Sequence, residues 1–175
     1  MALTLLLGGA RCGKSSLALR RARALARPVV FVATGEPRDA EMAERIARHR
    51  DERDPAWSTV EAPLELATAL AGAPAGSCAI VDCLSLWVAN LLERGDDEDA
   101  VTRLAGAAAE LAATRDGPTI AVSNEVGMGV VPVYELGRRY RDVLGRVNAI
   151  WADHSAAAML VVAGRSLPLE APDDV

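Results

Sequence analysis

LTLLLGGARCGKSS, residues 3–16, joins an apolar run to a glycine-rich loop, a lysine and two serines. Within it, GGARCGKS fits G-x-x-x-x-G-K-[ST], with Gly8, Gly13, Lys14 and Ser15 in the fixed positions. The surroundings give the match its meaning. TLLLGG (4–9) reads as a buried strand and SSLALRRARALA (15–26) has helical spacing, so the loop leaves a strand and opens a helix. Glycines let successive backbone N–H groups curl around phosphate oxygens, and the helix N-terminus adds partial positive charge. Lys14 is expected to bring a point charge to the outer phosphates and Ser15 to hold Mg²⁺. Arg11 reads either as a phosphate contact or as a solvated side chain. Cys12 reads as a small space-filler open to alkylation. The loop points to a nucleoside triphosphate and is silent on the reaction.

Working outward, apolar strands alternate with helices. PVVFVATG (28–35), WSTVEAP (57–63), SCAIVDCLS (77–85) and PTIAVSNEVG (118–127) read as strands, and AAMLVVAGRSLPL (157–169) as a last strand or a hairpin. DAEMAERIARHRDER (39–53), LELATALAG (64–72), LWVANLLERG (86–95), the segment from DDED to Arg115, and YELGRRYRDVLGRVNAIWADHS (134–155) read as helices. The closing EAPDDV reads as a frayed tail. Continuous apolar strands imply burial on both faces, hence a mainly parallel sheet flanked by helices. There is no linker, repeat or low-complexity stretch, so residues 1–175 are expected to form one domain.

The 175 residues carry a net charge of −5 and are 51% hydrophobic. That balance argues against disorder and against a nucleic-acid footprint, which needs clustered positive charge. No apolar run approaches the roughly 20 residues needed to span a bilayer. The N-terminus begins directly on the strand and loop without a signal-peptide pattern, so a soluble cytoplasmic protein is expected. Three cysteines, Cys12, Cys78 and Cys83, include no CxxC pair. They read as reduced thiols, with Cys78 and Cys83 in the core.

Two acidic or basic groups stand out against this frame. Asp82 ends the apolar strand AIVD, where a carboxylate for a metal's water shell belongs; the alternative is a turn cap. The chain has two histidines. His49 lies on the charged helix, and by position alone it is either an ordinary solvated residue or a general base or nucleophile near the nucleotide. A neutral imidazole can attack the α-phosphorus of a triphosphate and release pyrophosphate. Arg48, Arg50 and Arg53 are its basic neighbours and are candidates to steady the phosphates.

Beyond these residues, the chain resembles the bifunctional adenosylcobinamide kinase/adenosylcobinamide-phosphate guanylyltransferases almost end to end. LLLGGARCGKS, VATG (32–35), EMAERIARHR (41–50), WSTVE (57–61), SNEVGMGVVP (123–132) and GRRYRDVLGRVN (137–148) carry the resemblance. It implies a P-loop NTPase fold of the RecA-like type and two reactions. In the first, ATP or GTP phosphorylates the aminopropanol hydroxyl of adenosylcobinamide. In the second, His49 takes GMP from GTP and passes it to adenosylcobinamide phosphate, giving adenosylcobinamide-GDP.

In that family a second histidine often precedes the reactive one; here Arg48 stands in its place. The resemblance also implies nucleotide contacts from Gly8, Gly9, Ala10, Arg11, Cys12, Gly13, Lys14 and Ser15. Further contacts are implied from Ala33, Thr34 and Gly35, from Arg50, Asp51, Glu52 and Arg53, and from Glu61 and Asp82. Ser15 and Asp82 are the expected Mg²⁺ residues. One nucleotide site serves both reactions if the His49 helix moves. Asn124 and Glu125 either cap and solvate their segment or orient the second substrate or metal, and Gly127 and Gly129 would let backbone approach the corrinoid. Trp57, Trp87 and Trp151 read as core or subunit-interface residues, with corrinoid stacking the alternative. A homo-oligomer, possibly a trimer with the corrinoid between subunits, is implied too. The family commonly has Ser where this chain has Cys12, and GRSLPLEAP has no close counterpart. Competing readings are a P-loop kinase of a small metabolite, a nucleotide-dependent switch (though NKxD is absent), and a member retaining one activity.

Overall fold

In the computed structural model, residues 3–171 are described, residue 45 by its backbone alone. Most of the EAPDDV tail, residues 172–175, lies outside them. Seven strands form one sheet in the order β3-β2-β4-β5-β1-β6-β7. Their ranges are β1 Leu3–Gly8, β2 Val29–Ala33, β3 Ser58–Glu61, β4 Cys78–Asp82, β5 Thr119–Asn124, β6 Ala157–Val162 and β7 Arg165–Leu169. The first six are parallel to their neighbours; β7 returns antiparallel to β6. The last segment is thus a hairpin, turning through Ala163 and Gly164. Both have positive φ, 49° and 73°, as the two-residue turn that matches strand twist requires.

Helices α1 (Lys14–Ala24), α2 (Ala40–Asp51), α3 (Leu66–Ala71), α4 (Leu84–Arg94), α5 (Glu98–Thr114) and α6 (Glu135–Asp153) fill the connections. The period of two along each strand splits the core into two layers. Leu3, Leu5 and Leu7 join Val30, Val32, Ala79 and Val81 under α3–α6, where Trp87 and Trp151 are buried. Leu6 joins Val29, Phe31 and Ile80 under Ala18, Leu19 and Ala22 of α1. The strands therefore read as continuous apolar runs because both faces are covered. Cys78 and Cys83 are core residues, and burial pushes the Cys78 thiol up to about 11. Trp57 is half-buried, with the Arg23 guanidinium 5.4 Å from its ring centroid.

Two boundaries differ from the sequence expectation. The strand expected over 77–85 stops at Asp82, and Cys83 becomes the extended N-cap residue of α4. Leu84, Trp87, Val88 and Leu91 then follow helical spacing into the core. The strand expected over 118–127 stops at Asn124, level with the end of its parallel neighbour β1 at Gly8 and two residues beyond the end of β4, whose Asp82 is level with Val122.

Candidate active site

All parallel strands point their C-terminal ends to one edge, where ligands collect in open α/β sheets. The glycine loop leaves β1 there. Gly8 has φ 153°, and a Cβ added to it would lie 2.3 Å from the Val161 carbonyl oxygen. Only glycine lets β1 turn this close to β6. Gly13, φ 99°, is the left-handed residue before α1 and packs against Gly164. Gly164 N–H donates to the Cys12 carbonyl at 2.8 Å, so the C-terminal hairpin braces the loop. Lys14 is buried, its Nζ donating to the carbonyls of Gly8 (2.8 Å) and Gly9 (2.6 Å). The Cys12 sulfur is 3.5 Å from the same Nζ. Arg11 takes a left-handed backbone, φ 56°, and lines the cavity described next.

A cavity of about 520 Å³ opens over the loop. Its walls come from Arg11–Ser16, from Asp82 and Cys83 at the end of β4, from Asn124 at the end of β5, and from Glu41, Glu44, Arg48, His49 and Glu52 on and after α2. The helical period explains that last group. Glu41, Glu44, Arg48 and Glu52 fall three to four residues apart on one stripe, while Met42, Ile46, His49 and Arg53 form the next stripe. The second stripe lines an adjoining cleft of about 40 Å³ with Ala33, Gly35 and Leu86. His49 borders both spaces.

Helix α2 begins at Asp39, whose carboxylate accepts the Met42 N–H at 2.7 Å. Its basic last turn, Arg48–His49–Arg50, suits the negative end of the helix dipole. None of its described side chains is buried. His49 Nδ1 stands 3.9 Å from Asp82 Oδ2, with side-chain exposures of 30% and 11%.

Some residues named from the sequence lie elsewhere. Arg50 and Asp51 are exposed on α2, and Arg50 pairs with Glu61 at 3.9 Å on the outermost strand, β3. Neither Arg50, Asp51 nor Glu61 reaches the large cavity, because one residue beyond His49 the helix has rotated away. Arg53 turns toward the sheet, with its guanidinium 3.6 Å from the Phe31 ring centroid and a 3.3 Å bond to Thr59 Oγ1. Burial lowers its pKa, opposed by the nearby Asp82 charge.

Thr34 is fully buried; its hydroxyl accepts from Cys83 N–H and donates to Cys83 C=O, both at 2.7 Å. It ties the end of β2 to the start of α4 and so fixes the backbone that carries Asp82. Thr34→Val is expected to destabilise the protein by roughly 1–3 kcal/mol, read from its denaturant midpoint. An unchanged midpoint would show that the hydroxyl pair adds nothing.

Sequence reasoning missed Glu41 and Glu44, although their helical spacing to Arg48 was available. It also missed why Asn148 ends the GRVN run. Asn148 Oδ1 accepts from the Ser123 hydroxyl at 2.6 Å and its amide donates to the Asn124 carbonyl at 3.0 Å. Helix α6 thereby holds the end of β5, while Glu125 N–H donates to Gly8 C=O at 3.0 Å. The Glu125 carboxylate accepts from Gly127 N–H at 2.5 Å, so this residue serves its own loop. That loop then exposes Met128, Val130, Val131, Val133 and Tyr134.

Comparison with known proteins agrees with this architecture. By fold, the RadB recombinase superposes with a TM-score of 0.51 at 15% identity, covering 91% of this chain and 73% of that one. A structurally studied protein of Pyrococcus horikoshii OT3 gives 0.57 at 7% identity, covering 95% and 85%. By sequence, the bifunctional adenosylcobalamin biosynthesis protein CobP of Pseudomonas aeruginosa is 44% identical over 95% of this chain and 96% of its own length. The CobU protein of Salmonella typhimurium, which bears the same bifunctional description, is 38% identical over 91% and 95%. Residues 4–169 match the family described as cobinamide kinase / cobinamide phosphate guanyltransferase. Loop, strand ends and α2 together thus fall inside one matched span, and the chain belongs to that family.

Proposed function

We propose that this protein phosphorylates adenosylcobinamide and then transfers GMP from GTP to the resulting phosphate through a covalent GMP–His49 intermediate. The supporting observation is that His49 faces the same cavity as Lys14, Ser15 and Asp82. A nucleotide whose phosphates lie on the glycine loop would place its phosphorus atoms in that cavity, beside the imidazole. Lys14 would leave the Gly8 and Gly9 carbonyls to offset charge on the phosphates. Arg48, at the same wall, is the α2 arginine placed to meet them; Arg50 is exposed toward Glu61, and Arg53 lines the adjoining cleft.

Mg²⁺ fits the donors available. Ser15 and Asp82 offer one hydroxyl and one carboxylate to the same cavity, which suits a hard cation that keeps waters and phosphate oxygens as its other ligands. Held by these two residues, such a cation would supply charge neutralisation to the bound phosphates.

The exposed apolar loop between β5 and α6 is the natural seat for the bulky corrinoid. It continues directly from Asn124, and an acceptor must present its hydroxyl or phosphate to the cavity while its ring system lies outside. Contacts between copies of the chain belong to the same reading; Leu167 and Leu169, exposed on edge strand β7, are apolar surface that such contacts would cover. Because α2 buries no described side chain, a hinge movement of this helix would let one nucleotide site serve both reactions. Among the described residues no helix is long and apolar enough to cross a membrane.

The test is incubation with GTP labelled at the α-phosphate, without acceptor, followed by denaturation. Acid-labile label retained on the protein and released by adenosylcobinamide phosphate is expected. Phosphorylation of adenosylcobinamide without any retained label would leave a plain kinase.

A further inference from the structure

The two ring nitrogens of His49 are not equivalent in this structure. We infer that Asp82 is a positioning residue for His49: its carboxylate charge favours the ring tautomer that keeps the proton on Nδ1, so that Nε2 is the nitrogen that accepts the nucleotidyl group. This rests on the GMP–His49 reading above and adds the atom and the group that selects it.

A neutral imidazole bears its proton on one nitrogen and a lone pair on the other, and the group facing one nitrogen decides which. Asp82 Oδ2 faces Nδ1 at 3.9 Å, too far for a direct hydrogen bond, so it acts through its charge; its side chain is only 11% exposed, and solvent screens that charge weakly. Nε2 has no hydrogen-bond partner among the described residues. Position follows from the fold: β4 carries Asp82 to the sheet edge, the Thr34–Cys83 pair fixes the backbone just after it, and the Met42–Ile46–His49 stripe turns the ring inward. Only one carboxylate oxygen is used, so the other stays available to a cation's water shell.

The bond changes balance without any further reagent. The Nε2 lone pair forms the N–P bond to the α-phosphorus, and the bond from that phosphorus to the bridging oxygen breaks, its electron pair leaving with pyrophosphate. The ring is now substituted at Nε2 and protonated at Nδ1, so it carries a positive charge beside the Asp82 carboxylate. An oxygen of the acceptor phosphate then forms the new O–P bond. The P–N bond breaks, and its pair returns to Nε2. The Nδ1 proton stays in place throughout.

The test uses ¹⁵N-histidine-labelled protein. In nucleotide-free, Mg²⁺-free protein at a pH where the ring is neutral, the His49 ¹⁵N shifts are expected to show the Nδ1–H tautomer. After loading with GTP plus pyrophosphatase, ³¹P–¹⁵N coupling is expected at Nε2. Asp82→Asn, whose amide can donate to Nδ1, should move the free-protein shifts toward the Nε2–H form. It should slow guanylylation roughly 10²–10⁴-fold, as a wrong tautomer does in hydrolase triads. Asp82→Glu should restore the Nδ1–H shifts. A carboxylate acting only on a cation would leave the metal-free shifts unchanged in Asp82→Asn, and that result overturns the proposal. Phosphorus on Nδ1 of the wild type also overturns it while leaving the proposed function intact. No covalent nucleotide on His49 overturns the proposed function itself.

Discussion

His49→Ala separates the two activities: guanylyl transfer falls by on the order of 10³-fold or more, covalent GMP capture disappears, and adenosylcobinamide phosphorylation stays within a few-fold of wild type. The selectivity follows from where the imidazole sits. It is a part-exposed group on a helix with no buried described side chain, so its removal changes stability by no more than about 0.5 kcal/mol, the usual range for surface positions. Phosphoryl transfer to a hydroxyl needs positioning and charge in the cavity, which on the proposed reading Lys14, Ser15 and Asp82 would provide. Parallel assays of ATP-dependent phosphorylation and of GMP transfer to pre-phosphorylated acceptor check this. Equal loss of both would mean that His49 supports the site as a whole and carries no nucleotide.

Lys14→Ala is expected to do the opposite and depress both activities together, each by roughly 10²–10³-fold, the effect of losing one preorganised charged donor. One cavity joins the loop to His49, so on the proposed reading a single bound triphosphate would be the substrate in both reactions, attacked at a different phosphorus. Lys14 also has a role in the protein alone. Its buried ammonium holds the Gly8 and Gly9 carbonyls, and the variant should lose about 1.5–3 kcal/mol, as for a hydrogen-bonded charged group. Titrating nucleotide binding and following thermal unfolding distinguish the two effects. Lys14→Met, which keeps the stem, should recover part of the stability and none of the activity. If only one activity fell, the reactions would have separate nucleotide sites.

The glycine loop was legible because its requirements are local. A strand, left-handed glycine backbone and a helix N-terminus are consecutive in the chain, and a contiguous pattern records them. The same holds for α2, where Met42, Ile46 and His49 recur at helical spacing and orient the ring before any tertiary contact is known. Glu61 was not legible in this way. It ends a short strand just as Asp82 does, but β3 lies at the outer edge of the sheet and β4 near its centre. One carboxylate reaches solvent and Arg50, the other the cavity. Thr34 likewise reads as a polar strand end suited to a ligand, yet its hydroxyl is consumed by Cys83.

By itself, then, the sequence determined the alternation of strands and helices, the phosphate loop, the inward stripe of α2 and, through its family motifs, the class of enzyme. These depend on backbone geometry within a turn or two and on periods of 2 and 3.6 residues. Only the tertiary structure decided that Asp82 faces Nδ1 of His49, that Asn148 holds the end of β5, that the C-terminal hairpin braces the loop, and that Glu61 stands apart. Those pairings join residues far apart in the chain, and strand order sets them. Strand order emerges when every apolar strand must find cover on both faces at once, a condition no single segment contains.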